Sequence, residues 1–357
     1  MKLIFITRKV DRGDALTGFV FGWIAALAQK LEHLYVICQE KGDASGLPEN
    51  VSVHSFGKER GNGRFRQILQ LSIINFQLFR KVGGVFVHMH PIYAIVAWLP
   101  AKLFRKKLIL WYTHKSVDLK LRIAHFLADE VLTASKESFR LPSKKVNVVG
   151  HGIDLKKFQI SNDKFQTKPQ IPTSKFHILS IGRISPVKDY ETLIQAARVL
   201  VKKQIRDFEV NIYGRIGLEE HQSYMDSLAK FVRNAELEDY VKFQGELDYE
   251  FVDEIYREAD LFVNLSMTGS IDKNILEAAA CEAVVLTSNE AFKEPLTKIS
   301  GDLFFERNNP ADLAEKIIKI KNWNTNQRAA VGQRLRSWVQ EEHDLDKLAV
   351  RIVERFQ

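Results

Sequence analysis

Two cations in the stretch Ile181–Ala197, which reads IGRISPVKDYETLIQAA, stand where an apolar run gives way to a helical one: Arg183 follows Gly182, and Lys188 comes five residues later. The run Phe176–Ile181 has the apolar, β-branched make-up of a strand, and Leu193, Ile194 and Ala197 recur at helical spacing. A strand-to-helix turn presents backbone N–H groups and the positive end of a helix dipole, to which a guanidinium and an ammonium add fixed charge and donors. That chemistry suits a diphosphate. The same residue types also serve as solvated cations of an ordinary surface turn.

A second cluster follows the apolar run Asp260–Leu265. There Ser266 to Cys281 form a small-residue loop, with Gly269, Ser270, Ile271, Asp272 and Lys273, that enters a helix carrying one carboxylate, Glu277, among alanines. Glu277 is either exposed on that helix or partly buried, in which case it needs hydroxyl or cationic partners of the kind a ribose offers. Asp272 is either a ligand group or the N-cap of the helix. In the first half, His114 follows the strand-like Lys107–Tyr112, and His88 and His90 end another in VHMHP. Two residues apart on an extended strand, His88 and His90 are expected on one face. No carboxylate or cysteine completes a metal set with them. Asp344 and Asp346 form an Asp-x-Asp pattern, but at the start of a terminal helix, where Asp344 is expected as a cap.

These stretches resemble the retaining, nucleotide-sugar-dependent glycosyltransferases of family four, the glycosyl transferases group 1. The resemblance is strongest from Val146 to Thr287 and rests on VVGHGID with Phe158, on GRISPVKDYETLIQA and on NILEAAACEAVVLTS. It implies the GT-B fold. It also implies that Arg183 and Lys188 bind the donor diphosphate beside Gly182, that Glu277 binds the nucleotide ribose, and that His114 lies near the transferred sugar. Arg183, Lys188 and His114 are thus the expected catalytic set. The family commonly has another Glu eight positions before Glu277, where this chain has Gly269. Sugar recognition is therefore expected to fall to Asp272 or to the backbone of Ser270, Ile271 and Lys273. The glycine-containing loop that the family places after its first strand corresponds to Asp11–Gly18, with Gly18, and after it Gly13, the donor-side candidates. His88 and His90 are assigned to the acceptor side.

The elements that must position these residues alternate along the chain. Candidate strands are Lys2–Thr7, His33–Cys38, Val51–Phe56, Gly84–Met89, Lys107–Tyr112, Glu130–Ala134 and Val146–Val149, then Phe176–Ile181, Glu209–Tyr213, Val241–Gln244, Asp260–Leu265, Ala283–Thr287 and Asp302–Phe305. Apolar runs separated by helical stretches read as parallel strands covered on both faces, giving an α/β chain of two Rossmann-like, doubly wound domains facing across a cleft. The polar stretch Phe158–Ser174 reads as the linker. The expected division is 1–160 for an acceptor-side domain, 161–335 for a donor-binding domain, and 336–357 for a terminal helix crossing back to the first.

With 357 residues, 45% of them hydrophobic and 27% charged, the chain has the balance of a soluble globular protein. Leu3–Ile6 before Arg8 and Lys9 reads as a strand, not a signal peptide, and the apolar region Tyr93–Phe104 is broken by Pro100 and Lys102, so a cytoplasmic location is expected. Cys38 and Cys281 are isolated in apolar sequence and form neither a disulfide framework nor a metal site. The net charge of +8 is uneven: residues 1–160 hold 25 Lys and Arg against 12 Asp and Glu, or +13, leaving −5 for the rest. Arg64, Arg66, Arg80, Lys81, Lys102, Arg105, Lys106 and Lys107 flank or interrupt the apolar segments Ile68–Phe79 and Ile92–Phe104. Without a nucleic-acid motif, these cations suit an anionic membrane surface at the inner face of the cell membrane or an acidic acceptor, or else they are the solvated faces of helices.

The sequence thus points to transfer of a hexose-type sugar from a nucleotide diphosphate to a hydroxyl of a lipid-linked, oligosaccharide or other glycan acceptor. Retention of configuration is implied by the resemblance, and no cofactor or essential metal is expected. Two other readings stay open: a non-catalytic nucleotide-sugar-binding protein that kept the fold, and a nucleotide-sugar epimerase.

Overall fold

The computed structural model describes residues 1–14, 17–158 and 175–357. All but the first residue of the expected linker lies outside the described residues. The chain divides into two compact units, Met1–Asp154 with Glu342–Gln357, and Leu155–Glu341.

In the first unit, β1 (Lys2–Val10), β2 (His33–Lys41), β3 (Val51–Ser55), β4 (Gly84–His88), β5 (Lys107–Trp111), β6 (Glu130–Thr133) and β7 (Val146–Val148) form one sheet in the order β3-β2-β1-β4-β5-β6-β7. Every pairing is parallel. The central strands are apolar on both faces because helices cover both: all five residues of β4 are buried. The helices α1 (Phe19–Ala28), α2 (Arg64–Leu78), α3 (Pro91–Leu103) and α4 (Leu119–Leu127) connect them. Pro91 starts α3 with its preset φ, and Asp118 caps α4 by accepting from Leu121 N at 2.8 Å. One core cluster joins Leu71 and Leu78 of α2, Ala94 and Ala97 of α3 and Leu121 and Ala124 of α4 to strand residues such as Ile4, Val85 and Leu110.

The second unit repeats the design with β8 (Phe176–Ile181), β9 (Phe208–Tyr213), β10 (Val241–Gly245), β11 (Leu261–Asn264) and β12 (Val285–Thr287), parallel in the order β10-β9-β8-β11-β12. Its helices are α5 (Tyr190–Lys202), α6 (Gln222–Asn234), α7 (Val252–Glu258), α8 (Lys273–Ala280), α9 (Lys293–Ile299), α10 (Pro310–Lys321) and α11 (Thr325–Glu342). The expected strand Asp302–Phe305 is not one. Ser300 Oγ accepts from Asp302 N, winding Gly301–Leu303 into a 3-10 turn, and only Phe304 reaches the sheet, as an isolated bridge to Thr287.

The chain ends in the first unit with α12 (Leu345–Glu354), which packs Leu345, Leu348 and Ile352 inward beside α1. Asp344 caps it, accepting from Asp346 N at 2.7 Å and Lys347 N at 3.1 Å, which accounts for the Asp-x-Asp pattern. Close approach of two backbones seats this segment: Gly150 has φ +80°, and a Cβ there would collide with the carbonyl oxygen of Glu342. His151 N also donates to His343 Nδ1 at 2.9 Å. Gly150→Ala combines left-handed strain with a backbone clash and should cost on the order of 3 kcal/mol, read as a lower urea midpoint at unchanged slope. An unchanged midpoint would show that the α12 junction relaxes freely.

Candidate functional site

In an open parallel sheet, ligands bind beyond the carboxyl ends of the strands where the strand order reverses. In the second unit that point lies between β8 and β11, the neighbours from which the chain departs to opposite sides of the sheet. The loop after β8 carries Gly182, Arg183 and Lys188. The loop after β11 carries Gly269 to Lys273 and enters α8. The two clusters singled out from sequence, 84 residues apart in the case of Lys188 and Asp272, therefore emerge side by side.

Lys188 and Asp272 bridge them directly, Nζ to Oδ2 at 2.5 Å, with both side chains mostly buried. Asn264 Nδ2 donates to the same oxygen at 3.1 Å. Burial by itself pushes the Asp272 carboxyl up, but the Lys188 charge and hydrogen bonds from Lys188, Asn264 and Ser266 together outweigh it and hold the pKa below the ordinary carboxylate value. Backbone joins the loops as well: Met267 N donates to Val187 O at 2.9 Å, and Asn274 Nδ2 to Ile181 O at 2.6 Å. Asp272 stands at the N-cap position of α8, yet its side chain makes no cap hydrogen bond, being committed to Lys188.

Arg183 differs from Lys188: it is exposed and has no ion pair among the described residues. Gly182 beside it is fixed by N–H donation to Tyr213 O and by Tyr190 Oη donating to its carbonyl at 2.9 Å. The helix after Lys188 corrects one expectation. The N-terminal turn of α5 is already occupied, since Asp189 accepts from Thr192 N and Oγ1 and Tyr190 N donates to Tyr224 Oη. The donors expected from that turn are therefore used internally, and the positive end of α8 is the helix terminus on this loop cluster.

Glu277 is buried, 2% exposed, not on the helix surface. Lys273 Nζ, one turn back, donates to Oε1 at 2.8 Å, and Tyr249 Oη donates to the same oxygen at 2.9 Å, while Tyr256 Oη meets Oε2 at 3.5 Å. Lys273 and Lys157 also lie over the Tyr249 ring, at 4.4 and 4.6 Å. The partners that a buried carboxylate requires thus come from the protein. Tyr249, Tyr256 and Asn264 were missed from sequence; only Asn264, a polar side chain ending an apolar strand, left a signal there. Gly269 has φ +61°, a conformation that side-chain-bearing residues seldom adopt, so glycine fits the local course of the loop. Ser270 O accepts from the buried Asn289 Nδ2 at 2.9 Å, and Ile271 follows it in the same loop.

In the first unit the order reverses between β1 and β4. Gly18 is the N-cap of α1, its N–H donating to Asp14 O at 2.7 Å. His114 follows β5, is exposed and accepts from Ser116 N at Nδ1 (3.1 Å), so the neutral ring carries its proton on Nε2. The paired face expected of His88 and His90 does not form. β4 ends at His88, Met89 turns at φ +68°, and His90 becomes the N-cap of α3. His88 is a core residue among Phe5 and Trp23, its Nδ1 3.5 Å from Thr7 Oγ1. Burial, with His90 and His151 nearby, pushes its pKa down to about 3, and burial with Arg8 pushes His90 to about 4, so both rings are neutral. A buried neutral His88 is withdrawn from the acceptor-side set; His90 is half-buried and stays in it.

Comparison with known proteins places this arrangement. Residues 161–338 match the family model of the glycosyl transferases group 1. An uncharacterized glycosyltransferase of Methanocaldococcus jannaschii is 23% identical over 280 residues, 71% of this chain and 69% of that one. A D-inositol 3-phosphate glycosyltransferase of Paenarthrobacter aurescens is 30% identical over 148 residues, 41% of this chain and 35% of the relative, so the chain spans about a third of that protein's length. Among solved structures, Anabaena HepE in complex with UDP and glucose superposes with a TM-score of 0.77 at 17% identity, covering 99% of each chain. Sucrose-phosphate synthase of Thermosynechococcus elongatus gives the same TM-score and identity over 99% of this chain and 98% of its own. At that identity the likeness is one of fold, and the fold is the expected GT-B type of two Rossmann-like units.

The Lys188–Asp272 pair predicts a pH signature. A carboxyl whose folded pKa lies below its unfolded value stabilises fully above that unfolded value, and the contribution is lost as pH falls through the folded one. Asp272→Asn should cost about 3 kcal/mol at neutral pH, a gap that holds down to about pH 5 and narrows as pH falls below about 4. Thermal unfolding of both proteins across pH checks it; a gap independent of pH down to about pH 3 would mean the loss is steric.

Proposed function

We propose, from the premise that the chain belongs to the glycosyl transferases group 1 family, that it transfers a sugar from a nucleotide diphosphate donor to a hydroxyl of a lipid-linked, oligosaccharide or other glycan acceptor, with retention of configuration. One observation carries the reading: the turn after β8 at the switch point of the second sheet holds both Arg183, exposed and without an ion pair among the described residues, and Lys188, which pairs with Asp272 at the N-cap of α8. The HepE structures that share the fold hold UDP, glucose and UDP-glucose. A donor of the same class suits this loop cluster.

Cleavage of the anomeric bond leaves negative charge on the diphosphate. Arg183 supplies charge and planar donors to it, and Lys188, held in place by Asp272, supplies a point charge already desolvated by the surrounding loops. Because charge on the diphosphate grows as the bond breaks, these contacts strengthen toward the transition state, which is what lowers the barrier. Glu277 is assigned to the ribose: its partner Lys273 is part-exposed, and a ribose hydroxyl takes the place of that ammonium at Oε1. Asp272, Ser270, Ile271 and the Gly269 turn form the donor-side loop. Gly18 on the donor side, His114 at the transferred sugar and His90 on the acceptor side keep the roles that the resemblance implies. Arg183, Lys188 and helix-end charge serve the leaving group where other transferases use a metal, so catalysis is proposed to be metal-independent.

Turnover of a panel of nucleotide sugars, beginning with UDP-glucose, against extracted lipids and oligosaccharides and read by mass spectrometry tests the reading. Release of one nucleoside diphosphate with a matching glycosylated product supports it; bound but intact donors throughout would favour the non-catalytic alternative. Arg183→Ala should lower kcat/KM by about 10²- to 10³-fold at unchanged urea stability, and Arg183→Lys should restore only part of it, because a point charge does not reproduce the guanidinium fork. Equal activity of wild type and Arg183→Ala would remove Arg183 from the site. Activity should also survive exhaustive treatment with a chelator, and loss restored by a divalent cation would overturn metal independence.

A further inference from the structure

The outer layer of the first unit is built the wrong way round for water. The core-facing side of α2 carries Leu71 and Leu78 but also Gln67 and Asn75, and both amide atoms of fully buried Asn75 lack a partner among the described residues. Its outward side carries Phe65, Ile68, Leu69, Ile73 and Phe76, all exposed, with Phe65 at 83%. These positions recur at helical spacing and form one stripe. The helices α3 and α4, which share the α2 core cluster on that side of the sheet, continue it with Leu99, Leu103, Leu119, Ile123 and Phe126, the last 78% exposed. Scattered exposed apolar residues are ordinary, but a run of this extent on three adjacent helices marks an interaction surface.

Charge identifies what it fits. Residues 61–127 contain eleven Lys and Arg and a single carboxylate, Asp118, which is spent capping α4. Arg64 and Arg66 flank the start of the α2 stripe, Arg80 and Lys81 follow its end, and Lys120 and Arg122 lie on α4, all exposed. Where α3 meets α4, an open depression of about 800 Å³ is walled by Trp98 and Phe126 and rimmed by Lys102, Arg105 and Lys106, with one carboxylate in its lining, Asp129, which accepts from Leu108 N. None of those three cations has an ion pair among the described residues, whereas Lys107 pairs with Glu130 and Lys145 donates to the carbonyls of Phe126 and Ala128. We propose that this face docks on an anionic lipid bilayer, the apolar stripe entering the acyl boundary and the basic depression receiving lipid phosphate. A second copy of the chain would bring the same excess of positive charge against itself. A nucleic acid would meet the cations but leave Phe65, Leu69 and Phe126 in water. No helix among the described residues is long and apolar enough to cross a membrane, so the contact is one of surface docking.

Co-sedimentation of the full chain with phosphatidylcholine vesicles, with and without phosphatidylglycerol, tests the proposal. Binding is expected to the anionic vesicles, weakening between about 50 and about 500 mM salt. Lys102→Glu/Arg105→Glu/Lys106→Glu should reduce it on the order of 100-fold, and Phe65→Ser/Leu69→Ser/Phe126→Ser should reduce it at least about 10-fold, with the urea midpoints of both variants near wild type. No binding to anionic vesicles at low salt, or equal binding by wild type and both variants, would overturn it. So would vesicle-free self-association that the triple Ser variant abolishes. The readout needs neither donor nor acceptor, so its failure leaves the transfer reading standing, and the reverse.

Discussion

The second unit depends on one constraint, the need to neutralise charge taken out of water where β8 and β11 end. Lys188 and Asp272 are both mostly buried, and neither could be left there alone without a cost of several kcal/mol. Their pairing ties the turn after β8 to the loop after β11, and Asn264 and Ser266 complete the set of donors on Asp272. Everything nearby takes its position from that tie. Met267 reaches Val187, Asn274 reaches Ile181, and α8 begins where its first turn is drawn against β8. Arg183, in the same turn as Lys188 but outside the pair, is left exposed.

The same economy governs Glu277. A carboxylate that far inside needs donors, and Tyr249, Tyr256 and Lys273 provide them from an adjacent turn, the neighbouring helix α7 and the preceding turn of α8. The first unit solves its polar burial differently. His88 and His343 are kept neutral in the core, while Arg64, Arg66, Lys102, Lys120 and Arg122 stay exposed on its outer helices.

Much of this was legible in the residues. Apolar, β-branched runs between helical stretches marked the twelve strands of the described residues within a few residues, because strands buried on both faces leave little room for any other composition. The thirteenth, Asp302–Phe305, failed because Ser300 closes a local turn on Asp302, a hydrogen bond that composition does not reveal. Asp344 was legible as a cap since the cap bond is local. The shared face of His88 and His90 was not: it assumed an unbroken strand, and Met89 turns out of it at positive φ.

The sequence by itself determined most of the elements, their parallel character and the candidate groups, because periodicity, capping and strand-to-helix turns are set by neighbours within a few residues. It could not decide which charges pair. Lys188 and Asp272 are 84 residues apart, and only the placement of β8 beside β11 brings them to 2.5 Å. The tertiary structure likewise decided that Glu277 is buried and Arg183 exposed, that Asp189 uses up the first turn of α5, and that the α2 residues facing outward are the apolar ones. Burial and desolvation belong to the packed chain, since they depend on what lies across a sheet or behind a helix.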